Sequence, residues 1–124
     1  MASIIQTIEG VVTNKFVIES VLNFGRSADN QVQIDDLEVS TKHAQITCDV
    51  DNEGTAIYFL EDLGSTNGSF INEEKIKKQQ LHHKDNIRIG WNIFTFIDED
   101  EINHEKTREI KKSWIPGVFY SKDK

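Results

Sequence analysis

The sequence predicts an all-β sandwich, and three observations point to it. Turn signals recur roughly every 8–12 residues. The stretches between them alternate apolar and polar side chains or are short apolar runs. No helical period is sustained before residue 100. The chain has 124 residues, 37% of them hydrophobic and 28% charged. That is enough for one domain to bury a core without disulfides or metals.

The elements follow in order. Ser3–Ile8, Phe16–Glu19 and Val21–Phe24 are expected strands. Ala44–Val50 is the clearest, with Ala44, Ile46, Cys48 and Val50 on one face and Gln45, Thr47 and Asp49 on the other. Period two with one polar face is the mark of a half-buried strand. Cys48 then faces the core as a small apolar residue. Asp51-Asn52-Glu53-Gly54 supplies the left-handed positions of a turn. Ala56–Leu60 is apolar on both faces, as a central strand is. Ile87–Ile89 and Ile93–Ile97 flank Gly90-Trp91-Asn92, which reads as a hairpin loop.

After Ile97 the composition changes. Asp98 to Glu101 are consecutive acids, and Ile102–Trp114 is rich in helix formers, with Glu105/Arg108 and Glu109/Lys112 at i,i+3. Pro116-Gly117 would end a helix. Residues 1–97 are expected to form the domain, and 98–124 an acidic C-terminal extension that is a short helix or a tail.

Net charge is -7, which disfavours nucleic acid and anionic membrane surfaces as partners. No apolar run approaches the ~20 residues of a membrane span. The first ten residues carry Glu9, no Lys or Arg and no continuous apolar stretch, unlike a signal peptide. Cys48 is the sole cysteine, which excludes an intrachain disulfide and fits a reducing compartment, the cytoplasm or a eukaryotic nucleus. Asp49 to Gly54 start like a calcium loop, but Leu60 stands where the closing bidentate acid belongs. Ser40 and His43 lack the Gly-x-Ser-x-Gly elbow of a hydrolase. His82 and His83, adjacent on a strand, would point to opposite faces. No catalysis, metal or cofactor is expected.

Three clusters carry chemistry: Gly25-Arg26, Ser40-Thr41-Lys42-His43 and Ser65-Thr66-Asn67-Gly68. Each falls between expected strands, where β-sandwiches place binding groups. A phosphate monoester carries about -1.5 to -2 charges at pH 7 and three strong acceptor oxygens. It wants a guanidinium with several hydroxyl or backbone donors around it. Arg26 offers a planar fork of donors. Ser40, Thr41 and Thr66 offer hydroxyls, Asn67 a carboxamide, and Gly25 and Gly68 permit close backbone approach. Taken singly, these are also ordinary turn residues and a solvated arginine.

Taken together, Phe24-Gly25-Arg26, Val39-Ser40-Thr41-Lys42-His43-Ala44 and Asp62-Leu63-Gly64-Ser65-Thr66-Asn67-Gly68-Ser69-Phe70-Ile71-Asn72 resemble the three signatures of the forkhead-associated (FHA) domain family. Leu81 to Asp85, Ile87-Arg88-Ile89-Gly90 and Phe94-Thr95-Phe96 resemble the turn and strand pair that close it. The resemblance covers residues 3 to 97. It implies an 11-stranded β-sandwich with binding loops at one end, and a signalling adaptor that binds phosphothreonine. By the same resemblance Arg26 and Ser40 contact the phosphate and Thr41 adds a donor. Thr66 supports the pocket, and Asn67 bonds the peptide main chain. Gly25 and His43 are architectural, with His43 bracing the Ser40 loop.

Thr41 departs from the Arg or Asn of many members, which implies modest affinity. Lys42, the nearest other cation, is expected at the rim. Glu38 and Trp91 are candidates for reading the third residue after the phosphothreonine, by charge or by apolar contact. Their bland alternatives are a solvated acid and an aromatic packed on the sandwich edge. The implied partner is a phosphothreonine-containing protein, a Ser/Thr kinase or its substrate. The alternative is a phosphate-independent interaction scaffold. Thr107, with Ile110 three positions on, is a candidate phosphorylation site through which the tail would occupy a pocket in cis or in a neighbouring copy.

Overall fold

The computed structural model describes residues 2–101. Eleven strands lie within them: β1 (Ala2–Ile8), β2 (Val11–Ile18), β3 (Val21–Gly25), β4 (Val32–Gln33), β5 (Ala44–Val50), β6 (Ala56–Asp62), β7 (Ser69–Ile71), β8 (Glu74–Ile76), β9 (Lys78–Gln80), β10 (Asn86–Ile89) and β11 (Asn92–Asp98). They form two sheets, one in the order β2-β1-β11-β10-β7-β8 and one in the order β4-β3-β5-β6-β9. Their pairings are antiparallel except for β3 with β4, which run parallel.

Alternation puts the core between the layers. In β11, Phe94, Phe96 and Asp98 are buried while Ile93 is exposed. Phe94 meets Phe24 of the other sheet edge-on, with ring centroids 5.7 Å apart. Phe96 meets Tyr58 at 5.5 Å. Each such aromatic pair contributes about 0.5–1.5 kcal/mol beyond the area it buries. Ile4, Ile46, Leu60, Ile71, Ile87 and Ile89 are among the other fully buried side chains of the interior.

The central strands follow the expected alternation for most of their length. β5 alternates through Ile46, and Cys48 is partly buried and packs against the core, while Val50 is 62% exposed. β6 does lie inside its sheet, between β5 and β9. Tyr58 and Leu60 are buried in the core and Ala56 packs against it, while Phe59 lies 5.4 Å from the Lys78 ammonium.

The hairpins show why their turn residues stand where they do. Ile8 pairs with Val11 around Glu9 (φ 53) and Gly10 (φ 81). Ile71 pairs with Glu74 around Asn72 (φ 51) and Glu73 (φ 68). Both are two-residue loops with left-handed backbone at both positions, the type that matches strand twist. Ile89 pairs with Asn92, so the β10–β11 loop is Gly90–Trp91 alone, and Gly90 takes the positive φ of 62. Residues 99–101 form a helical turn after β11. The helix or tail expected over Ile102–Trp114, and Thr107 within it, lie outside the described residues.

Candidate functional site

Three loops meet at one end of the sandwich: β3–β4, β4–β5 and β6–β7. The first two are laced together by their backbones. Arg26 N–H donates to the Ser40 carbonyl at 3.0 Å, and Ser27 N–H to the Thr41 carbonyl at 3.3 Å. Gly25 makes this approach geometrically feasible. A Cβ there would lie 2.2 Å from the Thr41 carbonyl oxygen and 2.7 Å from the Asn30 amide nitrogen. Asn30 itself, nearly fully buried, donates to the carbonyls of both Ser27 and Thr41 at 2.9 Å.

The β6–β7 loop joins through His43 and Ser40. The His43 ring is fully buried. Its Nδ1 accepts the Ser40 backbone N–H at 3.1 Å, and its Nε2 lies 2.8 Å from the Gly68 carbonyl. A carbonyl only accepts, so Nε2 carries the proton and the imidazole is neutral in this arrangement. One ring thus fixes two loops. Ser40 Oγ accepts the Thr66 backbone N–H at 3.1 Å, which leaves its own hydrogen free to donate outward. Asn67 Nδ2 donates to the Glu38 carbonyl at 2.8 Å, leaving one amide hydrogen and the side-chain oxygen uncommitted.

Asp62 organises the β6–β7 loop from inside. One carboxylate oxygen accepts the N–H groups of Gly64 at 3.1 Å and Ser65 at 3.0 Å. The other accepts the hydroxyls of Ser65 and Ser69. Partial burial pushes the Asp62 carboxyl up, but the Ser65 and Ser69 hydroxyls and the two backbone donors outweigh it. They hold it below the usual carboxylate value. Ser65 Oγ in turn accepts the Gly68 N–H at 2.9 Å. Gly68 takes φ 88, a conformation that favours glycine.

The result is an open cleft of about 280 Å³ lined by Arg26, Ser40, Thr41, Thr66 and Asn67, with Leu37, Glu38 and Val39 completing its wall. All five residues that the sequence singles out for phosphopeptide contact therefore share one cavity. Among the described residues lining it, Arg26 is the one cation. Lys42 does not line it; its ammonium lies 3.6 Å from Asp29, and both side chains are largely exposed. The Ser27 hydroxyl and the Lys42 charge hold the Asp29 carboxyl below its ordinary value. Trp91 is 80% exposed and not packed on the sandwich edge. Its neighbour Gly90 abuts Val39, Asp36 and Glu38, which brings the β10–β11 turn beside the β4–β5 loop. Asn30 and Asp62 are functional supports that sequence reasoning did not assign. The Asp-x-Gly-Ser spacing of an Asx turn was a usable signal for Asp62, while nothing marks Asn30 out.

Residues 22–90, spanning all three loops, match the family model of the FHA domain. The chain belongs to the FHA family. The FHA domain is a phosphothreonine-recognition module, a binding fold rather than a catalytic one. This FHA domain is 30% identical over 85 residues to the glycogen accumulation regulator GarA of Mycobacterium tuberculosis, covering 68% of this chain and 49% of GarA. It is 40% identical over 63 residues to fhkE of Dictyostelium discoideum, named a probable serine/threonine-protein kinase, covering 50% of this chain and 9% of fhkE. The chain thus spans about half the length of GarA and a small part of fhkE. Among solved structures it superposes, at a TM-score of 0.66 and 27% identity, on a domain studied for phosphothreonine-dependent FHA interactions, covering 80% of this chain and 98% of that one. Among the described residues no helix is long and apolar enough to cross a membrane.

Proposed function

We propose that this domain reads phosphothreonine in a partner protein with Arg26, Ser40, Thr41, Thr66 and Asn67. One observation carries the assignment: these five, drawn from three loops, line a single cleft. The Arg26 guanidinium and the outward hydroxyl hydrogen of Ser40 grip the phosphate, and Thr41 adds a neutral donor. Thr66 shapes the pocket for the threonine side chain. Asn67 turns its uncommitted amide hydrogen and oxygen to the peptide main chain. With a net charge of -7, the molecule repels a dianion at long range, so capture depends on short-range geometry. Glu38 and the exposed Trp91 flank the cleft as specificity elements.

We assign the partner to the class of Ser/Thr kinases and their substrates. The likeness to GarA and fhkE supports that class, and with it a cytoplasmic setting. We take the binding unit as residues 1–97 and 98–124 as an extension, although the pairing of Ala2 with Asp98 carries the last strand one residue past that boundary.

The test is calorimetric titration with matched phosphorylated and plain threonine peptides, on wild type and Arg26→Ala. Phosphate-dependent binding is expected, weakened by about 1.5–3 kcal/mol or more in the variant. Equal affinity for the two peptides would favour the phosphate-independent scaffold.

A further inference from the structure

A second cavity, of about 540 Å³, opens on the flank of the sandwich between the edge strands β2 and β4. It neighbours the cleft just described: Leu37, whose side chain is 87% exposed, lines both.

The walls of this flank cleft differ in chemistry. One is a row of carboxamides: Asn14 Nδ2 donates to Gln6 Oε1 at 3.1 Å, Gln6 Nε2 to Asn92 Oδ1 at 3.5 Å, and Asn92 Nδ2 to the Ile89 carbonyl at 3.5 Å. Each amide nitrogen commits one hydrogen and keeps another. Such a row suits the main chain of an extended peptide. The facing wall carries Asp35 and Asp36. One Asp36 oxygen accepts the Glu38 N–H at 2.9 Å, while Asp35 is exposed and has no partner among the described residues. No Lys or Arg lines the cleft. At its base lies the partly buried ring of Phe16.

We propose that this flank cleft is a second subsite for the bound phosphopeptide, taking an arginine-bearing segment to one side of the phosphothreonine. This rests on the placement of the phosphothreonine in the Arg26 cleft. Three features select the occupant: the Leu37 wall shared with the phosphothreonine cleft, acids with no counter-ion, and an aromatic face. A guanidinium lays its plane on Phe16 and presents its fork to Asp35, which a compact ammonium does less well. The carboxamides hold the main chain on either side.

The experiment is a phosphothreonine peptide array with one arginine walked through each flanking position. The best arginine peptide and its alanine counterpart, each with and without phosphate, are then titrated by fluorescence anisotropy against wild type, Asp35→Asn and Asp35→Lys. Wild type is expected to prefer arginine on one side only, by roughly three- to tenfold, between an exposed ion pair and a charge-assisted hydrogen bond. Asp35→Asn should bring that ratio towards one, and Asp35→Lys should make a glutamate at the same position the preferred residue. If arginine is favoured nowhere, or the ratio survives in both variants while phosphate is still required, the flank subsite is wrong and the phosphothreonine reading stands. If no peptide needs its phosphate, the phosphothreonine reading itself fails.

Discussion

Thr66 donates its backbone N–H to the Ser40 hydroxyl oxygen at 3.1 Å, across 26 positions of sequence. This bond joins the β6–β7 loop to the β4–β5 loop at the cleft and holds the Ser40 oxygen in place, leaving its hydrogen able to donate. The oxygen is therefore positioned before any phosphate arrives, which lowers the ordering cost to be met on binding.

Ser40→Ala removes that hydroxyl donor and the acceptor for Thr66 N–H. Thr66 is exposed, so water can replace the lost acceptor. Affinity for a phosphothreonine peptide is expected to fall by about 1.5–3 kcal/mol, while stability changes by about 1 kcal/mol or less. Calorimetry and urea unfolding on the same protein separate the two effects.

His43→Ala acts in the opposite proportion. The ring is fully buried and bonded at both nitrogens. Its loss strands the Ser40 N–H and the Gly68 carbonyl, at about 1–3 kcal/mol each, and opens a cavity as well. Urea unfolding should show a fall in stability of about 2–5 kcal/mol. Unchanged stability would mean that the loops hold together without it.

Gly25→Ala tests close approach rather than backbone conformation. The added Cβ would meet the Thr41 carbonyl oxygen at 2.2 Å, so the β3–β4 and β4–β5 loops must separate. A loss of about 1–3 kcal/mol is expected from overpacking, together with weaker peptide binding because Arg26 and Thr41 ride on those loops. A variant as stable and as tight-binding as wild type would contradict the placement.

Asp62 gives the acid limb a specific origin. Its carboxyl is held below the ordinary value of 3.8 in the folded protein. A group whose folded value is lowered contributes stability above its unfolded value, and that contribution fades as pH falls through the folded one. Urea unfolding followed from pH 6 down to about pH 2 should therefore show a shallower loss for Asp62→Asn than for wild type. Parallel acid limbs would mean that the carboxylate is not held as described. At neutral pH the variant should be the less stable, with a loosened Thr66–Asn67 loop.

The long strands were legible because side-chain period survives over several residues; Ala44 to Val50 is legible with its observed bounds, and Ile93 to Ile97 falls within one residue of each end of β11. β4, β7, β8 and β9 were not, because strands of two or three residues carry no period. β2 begins at Val11, well before the expected Phe16. Its first residues are an exposed edge held by backbone bonds to β1, and Thr13, Asn14 and Lys15 give no apolar signal. Family signatures made the five cleft residues readable. Asn30 escaped because its partners are backbone carbonyls whose positions only the fold supplies, and Asp62 because the Asx-turn signal of its Asp-x-Gly-Ser spacing was not used. The Lys42–Asp29 pair was not legible either, because charge is visible in sequence and proximity is not.

The most direct measurement is a titration of isotope-labelled protein with a phosphothreonine peptide, following backbone and Arg26 side-chain resonances by NMR. The account predicts that the largest shifts fall on Arg26, Ser40, Thr41, Thr66 and Asn67, and that the plain threonine peptide leaves them still. Shifts centred elsewhere on the sandwich, or the same shifts without phosphate, would contradict it.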